Sequence, residues 1–342
     1  MKVVILEVAY SCNSKCKFCY NPWGVSKENG KEQRNSDSDI NKYLKAEILP
    51  KNDFFHIIDK LKKWGVDSLG FSGGEPLLNP DIFEIAAYAK EQGFKNSLLT
   101  NGMLVKKFAK EIADNFDVVQ ISLHGTKQTH DYLTGINGSF ENAMNGRIAL
   151  MDYSVSVSTV TVVNKINLCE LRDTMALAAA LDMNGVLVNR FLPGGKGLEN
   201  AGSLCIDQKE LLEMLNIIES ASEDYGIPPL VGTPIPLCIE GLRSYNFLLK
   251  EGCVAGKGLH CAIDPSGRLR VCNHSPVVLG NCLKADPDYI YENSEYVKGF
   301  QELRYTPEMC IGCNKLDRCK GGCREAAHVS FGSLMAPDPL FV

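Results

Sequence analysis

The sequence predicts an α/β fold in two parts, an open, partial barrel of six βα units followed by a cysteine-rich C-terminal domain. Three observations carry the prediction. Short apolar segments alternate with amphipathic helical ones from residue 2 to about residue 191, and strands alternating with helices imply a parallel sheet with right-handed crossovers. Six such units are fewer than the eight of a closed TIM-like barrel. The third observation is the cysteines: three fall in the first 19 residues and eight between Cys253 and Cys323, with Cys169, Cys205 and Cys238 scattered between.

The strands are expected at residues 3–8, 66–72, 96–100, 118–123, 155–164 and 186–191. Between them, one helix starts with Asn79 as N-cap and Pro80 at the first helical position. It sets Ile82, Ile85, Ala86 and Ala89 on one face and stops at Gly93. Others are expected over residues 53–64, 105–115, 140–152 and 168–182. Residues 21–50 are polar and patternless and read as a long loop, a length usually functional or mobile. After Phe191 come a glycine-rich stretch, a helix over about 207–225 and a Pro-rich run (Pro228, Pro229, Pro234, Pro236). The expected domains are therefore 1–200 for the barrel, 201–250 for a linker and 251–342 for the cysteine-rich part.

Bulk properties narrow the function. The 342 residues are 45% hydrophobic and 23% charged, enough to bury a large core. A net charge of −5 offers no basic field, which argues against a nucleic-acid partner. The apolar run at the start is short, is interrupted by Glu7 and has no small-residue cleavage site, and no run reaches the length of a membrane span. A cytoplasmic protein without a membrane partner is expected. In a reducing cytosol, clustered thiols serve as metal ligands more often than as disulfides.

Cys12-x3-Cys16-x2-Cys19 follows the first strand directly. Three thiolates this close can hold three irons of a cubane and leave the fourth without a protein ligand. In a zinc reading they are an incomplete set awaiting a distant fourth residue.

The triad, with Phe18 before its last cysteine, resembles the signature of the radical S-adenosylmethionine (SAM) superfamily. Further matches stand at successive strand ends: Ser72-Gly73-Gly74-Glu75-Pro76, Thr100-Asn101-Gly102, Ile121-Ser122-Leu123-His124-Gly125 and Asn164. The resemblance spans residues 2–191. It implies a [4Fe–4S] cluster on Cys12, Cys16 and Cys19 whose open iron is chelated by the amino and carboxylate groups of SAM. Gly73 and Gly74 are then expected to let the backbone approach the methionine moiety, with Glu75 facing its amino group and Thr100 and Asn101 nearby. Ser122 and Asn164 are expected on ribose or carboxylate, Arg190 on the carboxylate, and the Phe18–Tyr20 edge on adenine. One electron delivered to the cluster would yield a 5′-deoxyadenosyl radical that abstracts hydrogen from an unactivated carbon.

In the C-terminal part, Cys253-x7-Cys261-x5-Gly267-x4-Cys272 precedes Cys310-x2-Cys313-x5-Cys319-x3-Cys323. This resembles the SPASM domain, the auxiliary-cluster extension of radical SAM enzymes. The resemblance implies one or two auxiliary Fe–S clusters. Cys253, Cys261, Cys272 and Cys323 are the candidates for the first, and Cys310, Cys313 and Cys319 for the second. Phe341 stands where the family's final cysteine would fall, so the second site lacks an obvious fourth thiolate, with Asp338 and Cys282 as alternatives. Knuckles of this spacing also bind zinc.

Among the loose residues, Cys169 is expected in the core, and Cys205 and Cys238 as buried thiols or hydrogen donors. His124 has the best claim among the histidines to the active site. Pro193-Gly194-Gly195-Lys196-Gly197 lacks the frame of a phosphate loop. The resemblance implies hydrogen abstraction from a peptide or peptide-like substrate, giving a crosslink, an epimer or an oxidised residue. The alternatives are the same chemistry on a small molecule or tetrapyrrole, and a non-catalytic electron carrier. A flavodoxin- or ferredoxin-type electron donor is the implied partner. Because the chain starts at the first barrel strand, a leader-peptide-binding domain would have to be a separate protein.

Overall fold

The computed structural model describes residues 2–21, 48–245, 252–258 and 260–342. Nearly all of the loop expected over 21–50 lies outside these residues.

The strands are β1 (Val3–Ala9), β2 (Ser68–Gly73), β3 (Lys95–Thr100), β4 (Val118–Ser122), β5 (Ser156–Val163), β6 (Val186–Arg190), β7 (Pro229–Val231), β8 (His260–Ile263), β9 (Arg268–Arg270) and β10 (Val278–Asn281). They form one sheet in the order β10-β9-β8-β1-β2-β3-β4-β5-β6-β7. β1 to β6 pair in sequence order and in parallel, the six units expected. The barrel stays open because β1 takes β8 on its other side and β6 takes β7. β9 and β10 then continue antiparallel.

The chain's patterning explains these choices. β1 is buried on both faces, as a near-continuous apolar run in a covered parallel sheet should be. Its one charge, Glu7, is fully buried and is joined to the equally buried Arg270 of β9. β5 alternates strictly. Its inward threonines are satisfied, Thr159 donating to the Ile121 carbonyl at 2.9 Å and Thr161 to the Leu123 carbonyl at 2.8 Å. Helix Lys51–Lys63 buries Phe54, Ile57, Ile58 and Leu61, a spacing of three and four residues that puts all four on one face. Each such side chain contributes about 2 kcal/mol relative to exposure.

Several boundaries differ from expectation for local reasons. Asn79 does not cap its helix, which begins at Ile82 after Asp81. Its side chain instead accepts from the Asp81 N–H and donates to the Val8 carbonyl at 2.7 Å, tying the turn to β1. The segments at 105 and 168 start as 3-10 turns before helices Ala109–Asn115 and Leu171–Ala180. Helix Lys127–Thr134 is not among the expected elements because its apolar face is short, and Asp131 and Ser139 lock it to helix Ser139–Ala149.

The expected linker is largely part of the barrel. Helix Gln208–Tyr225, opened by an Asp207–Glu210 capping box, packs Leu211, Met214, Leu215 and Ile218 into a core shared with Leu171, Met175, Val186 and Val188. The Pro-rich run supplies β7. The C-terminal part is equally continuous with the barrel: Cys253, Ile263, Leu269, Tyr291 and Phe300 join the core built on β1 to β4. Among the described residues no helix is long and apolar enough to cross a membrane.

Candidate functional site

The candidate site lies at the C-terminal ends of β1, β2 and β3, where loops converge in barrels of this kind. The cysteine loop after β1 is braced from several directions. Lys15 and Lys17 donate their N–H groups to the Thr134 and Leu133 carbonyls at 2.8 and 2.9 Å. From beneath, the Gly74 N–H donates to the Ala9 carbonyl at 2.7 Å and the Glu75 N–H to the Ser11 carbonyl at 2.9 Å. The segment after β6 closes the far side, its Gly197 N–H meeting the Cys19 carbonyl at 2.9 Å.

Gly73 and Gly74 are required by the cysteine loop itself. A Cβ on Gly74 would stand 2.3 Å from the Ser11 oxygen and 2.6 Å from the Tyr10 oxygen, and one on Gly73 2.4 Å from the Ala9 oxygen. Gly73 also has φ near +139°, a conformation other residues avoid. The glycines thus let β2 clamp the cysteine loop's own backbone.

Glu75 is fully buried and links β2 to β3. Oε1 accepts from the Leu77 N–H at 3.2 Å and the Thr100 hydroxyl at 2.8 Å, and Oε2 from the Asn101 N–H at 2.9 Å. Burial pushes its carboxyl up to about 7, against the lowering pull of these three bonds. Asn101 in turn reaches the cysteine loop, donating to Asn13 Oδ1 at 2.7 Å and to the Ser14 hydroxyl at 3.2 Å.

The three thiols of this loop interact. Burial holds Cys16 well above the ordinary thiol value, and its neighbours Cys19 and Cys12 raise it further. Burial pushes Cys19 up to about 11, while Lys196 pulls both Cys16 and Cys19 down. Cys12 is the exposed member, with its charge felt by Cys19 and with Glu75 near it. Three converging thiols with one solvent-facing edge fit a cubane that keeps one iron free of protein.

The C-terminal cysteines form separate groups. Cys272 is raised well above its usual range by burial, then by Glu325, Cys253 and Cys323. Cys323 is pushed up to about 12 by burial and by Cys253 and Asp338, with Arg190 opposing. Cys253, Cys272 and Cys323 therefore form one trio. The expected fourth member, Cys261, is buried on β8, where Cys282 acts on it, and its charge acts on Tyr291 together with those of Cys253 and Cys272. Cys310, Cys313 and Cys319 make a second group, in which the charges of Cys319 and Cys313 act on Cys310. Among the described residues no three His, Cys, Asp or Glu side chains are packed as a ready-made single-ion site.

Residues 6–178, just over half of the chain, match the Radical SAM superfamily. The chain belongs to that superfamily. It is similar over 99% of its length to an AdoMet-dependent heme synthase of Methanosarcina barkeri, at 26% identity and over 95% of that protein. It is similar over 98% of its length to a PqqA peptide cyclase of Gluconobacter oxydans, at 23% identity and over 89% of that protein. The crystal structure of Streptococcus suis SuiB bound to S-adenosylmethionine has the same fold, with a TM-score of 0.74 at 17% identity, covering 99% of this chain and 76% of SuiB. The protein is thus a radical SAM enzyme, built on a [4Fe–4S] cluster and SAM, with a C-terminal cysteine-rich region of SPASM type.

Several of the side chains expected on SAM have partners within the protein. Arg190 does not face the strand-end cleft. It is buried in an ion pair with Asp338 at 2.6 Å, and its Nε and Nη2 also donate to the Pro234 carbonyl. Asp338 is equally committed, accepting from the Cys323 N–H at 2.8 Å and the Leu340 N–H at 3.0 Å, so neither oxygen is aimed at Cys310, Cys313 or Cys319. Asn164 folds into its own turn, accepting from the Ile166 N–H and donating to the Val162 carbonyl. Phe18 packs edge-on against His124 at 4.4 Å between ring centres. Tyr20 reaches into the C-terminal region, its hydroxyl accepting from Asn273 at 2.5 Å. The Ser122 hydroxyl has no hydrogen-bond partner among the described residues, and of the expected polar contacts it is the one left open.

His124 serves structure. Burial holds it well below its usual range, and its Nδ1 accepts the Val162 N–H at 3.2 Å. Cys169 is exposed, not in the core. Cys205 is half-buried near Arg190 and Lys165. The glycine-rich 193–197 segment, which lacks the frame of a phosphate loop, packs on the cysteine loop. A Cβ on Gly195 would stand 2.4 Å from the Asn21 oxygen, a closeness that the run of glycines alone could have signalled.

Proposed function

We propose that Cys12, Cys16 and Cys19 hold the [4Fe–4S] cluster of this radical SAM enzyme, and that the enzyme oxidises a peptide or peptide-like substrate by hydrogen abstraction. The observation that carries the reading is the convergence of these thiols at the strand ends, on a loop locked by Gly73, Gly74, Glu75 and Asn101. When bound, cluster and SAM together supply reductive cleavage of the sulfonium to a 5′-deoxyadenosyl radical.

The chain's own residues then act by placement. Asn101 and Glu75 fix the loop that carries the three thiols. Ser122 offers a free hydroxyl to SAM from the end of β4. Helix Gly195–Glu199, with Phe18 and Phe191 packed beneath it, keeps water from the inner side of the loop. The C-terminal cysteines would hold Fe–S clusters, which would supply an acceptor for the electron left on the substrate radical. Arg324, on which the charges of Asp338, Cys323, Cys310 and Cys319 act, would offset the negative charge of these thiolates.

A peptide substrate is supported by the PqqA peptide cyclase relative. A second reading, the same chemistry on a tetrapyrrole precursor, is favoured by the slightly higher identity and fuller coverage of the heme synthase relative. The test is anaerobic incubation of the reconstituted protein with SAM and dithionite, following 5′-deoxyadenosine and substrate mass. Substrate-dependent 5′-deoxyadenosine with a peptide two mass units lighter supports the first reading. Stimulation by an iron porphyrin precursor and not by peptides replaces it with the second. Reduced, SAM-loaded protein that never releases 5′-deoxyadenosine refutes both.

A further inference from the structure

Cys310, Cys313 and Cys319 lie within one knuckle, a 3-10 turn Glu308–Cys310 followed by the short helix Leu316–Cys319. Three thiols leave a cubane one ligand short. Residues 339–341 do not complete it, since the turn Pro339–Phe341 buries Leu340 in the core beside β6 and helix Gln208–Tyr225, with Phe341 packed against the same core. Asp338 is held by Arg190 and two backbone N–H groups. Cys282 is buried on the sheet beside Cys261.

A fourth thiol reaches the knuckle from the other direction in sequence. The turn at residues 237–238 lies directly on it: the Leu237 N–H donates to Cys319 Sγ at 3.3 Å, and Lys315, inside the knuckle, donates its Nζ to the Leu237 carbonyl at 2.8 Å. These two bonds grip the peptide units on both sides of Leu237 and set the next residue, Cys238, beside the knuckle. Backbone N–H groups aimed at sulfur are the contacts that tune cluster-bound thiolates. The Cys238 side chain is solvent-exposed, so nothing in the packing of the turn demands a cysteine there. The charges of Cys319 and Cys313 act on Cys238, and that of Cys238 on Cys310.

We propose that Cys238 is the fourth thiolate of the second auxiliary site, closing a [4Fe–4S] cluster with Cys310, Cys313 and Cys319. The proposal rests on the reading that the C-terminal thiols hold Fe–S clusters. Ligation exchanges an S–H bond for an S–Fe bond, releases one proton to solvent and changes no oxidation state. A four-thiolate site has no iron open to substrate, so this cluster carries electrons and does not bind substrate.

The test compares the full-length chain with Cys238→Ala, Cys310→Ala and, as a neutral control, Cys169→Ala, all reconstituted anaerobically. Iron and sulfide are counted, and the dithionite-reduced proteins are compared by electron paramagnetic resonance. Unaltered chain is also alkylated with iodoacetamide, with and without its clusters, and Cys238 is followed by mass spectrometry. A fully loaded chain carries about 12 irons, four per cubane. The proposal expects Cys238→Ala to lose or alter the same spectral component as Cys310→Ala, with up to about 4 irons fewer, while Cys169→Ala matches the parent. It also expects Cys238 to be protected in the loaded chain and labelled in the stripped one. Full iron and an unchanged spectrum in Cys238→Ala, with a loss in Cys310→Ala, overturn the proposal and leave the auxiliary cluster standing. No change in Cys310→Ala either overturns the auxiliary-cluster reading itself.

Discussion

Gly74→Ala tests whether the Gly-Gly turn exists to seat the cysteine loop. The new Cβ would lie 2.3 Å from the Ser11 oxygen, where real contacts stay beyond 3.0 Å, so backbone must move by about 0.7 Å at least. The three nearest atoms in the way are all main chain, and no side chain can swing aside to make room. The shift stretches the Gly74–Ala9 and Glu75–Ser11 hydrogen bonds, now 2.7 and 2.9 Å, to the edge of what counts as bonded. Two bonds at about 1 kcal/mol each, with about 1–3 kcal/mol of overpacking, give a loss of about 3–5 kcal/mol. The assay is urea unfolding of the cluster-free chain, with iron loading of the first site measured beside it. Gly202→Ala is the control, because nothing lies within 4 Å of its Cβ position and a helix favours alanine. A Gly74→Ala chain that unfolds at the parent's midpoint and loads the first site fully would refute the reasoning.

Other residues give independent expectations. Arg190→Met strands the fully buried Asp338 without its cation and should cost about 3–5 kcal/mol in unfolding experiments, with Arg190→Met/Asp338→Leu recovering part of it. His130 is lowered to about 4 by burial and accepts the His124 N–H on Nδ1. The unfolded chain therefore binds a proton that the folded chain refuses between about pH 6.5 and 4, and stability falls as pH drops through that window. The loss is about 3 kcal/mol over the whole window, and His130→Asn, which keeps an acceptor, should flatten the slope. Asn101→Ala removes the amide that holds Asn13 and Ser14, and should lower first-site iron occupancy with little change in melting, read by iron analysis and thermal unfolding.

The sequence was most legible where local pattern and site coincided. Six parallel strands followed from alternation with helices, and the cysteine triad, Gly73-Gly74 and Asn101 stood at strand ends where the fold brings them together. What stayed hidden depends on distant partners. Arg190 pairs with a residue 148 positions away, and no pattern around either one announces it. The pairing of β8 with β1 joins 260–263 to 3–6 across most of the chain, which is why the expected domain division does not interrupt the sheet. The partners that Glu75 and Gly74 find in the cysteine loop and at the end of β3 are set by tertiary packing that no local pattern shows. Cys238 looked isolated in a Pro-rich run, because its relation to Cys319 exists only once the turn at 237 folds back on the knuckle.

The account stands on three thiols at one barrel mouth acting together. Changing Cys12, Cys16 and Cys19 to alanine in one chain, and measuring 5′-deoxyadenosine from SAM under dithionite with iron counted in the same sample, addresses this directly. The expected result is complete loss of 5′-deoxyadenosine with about 4 irons fewer and the C-terminal sites still loaded. Undiminished SAM cleavage by the triple variant would contradict the account.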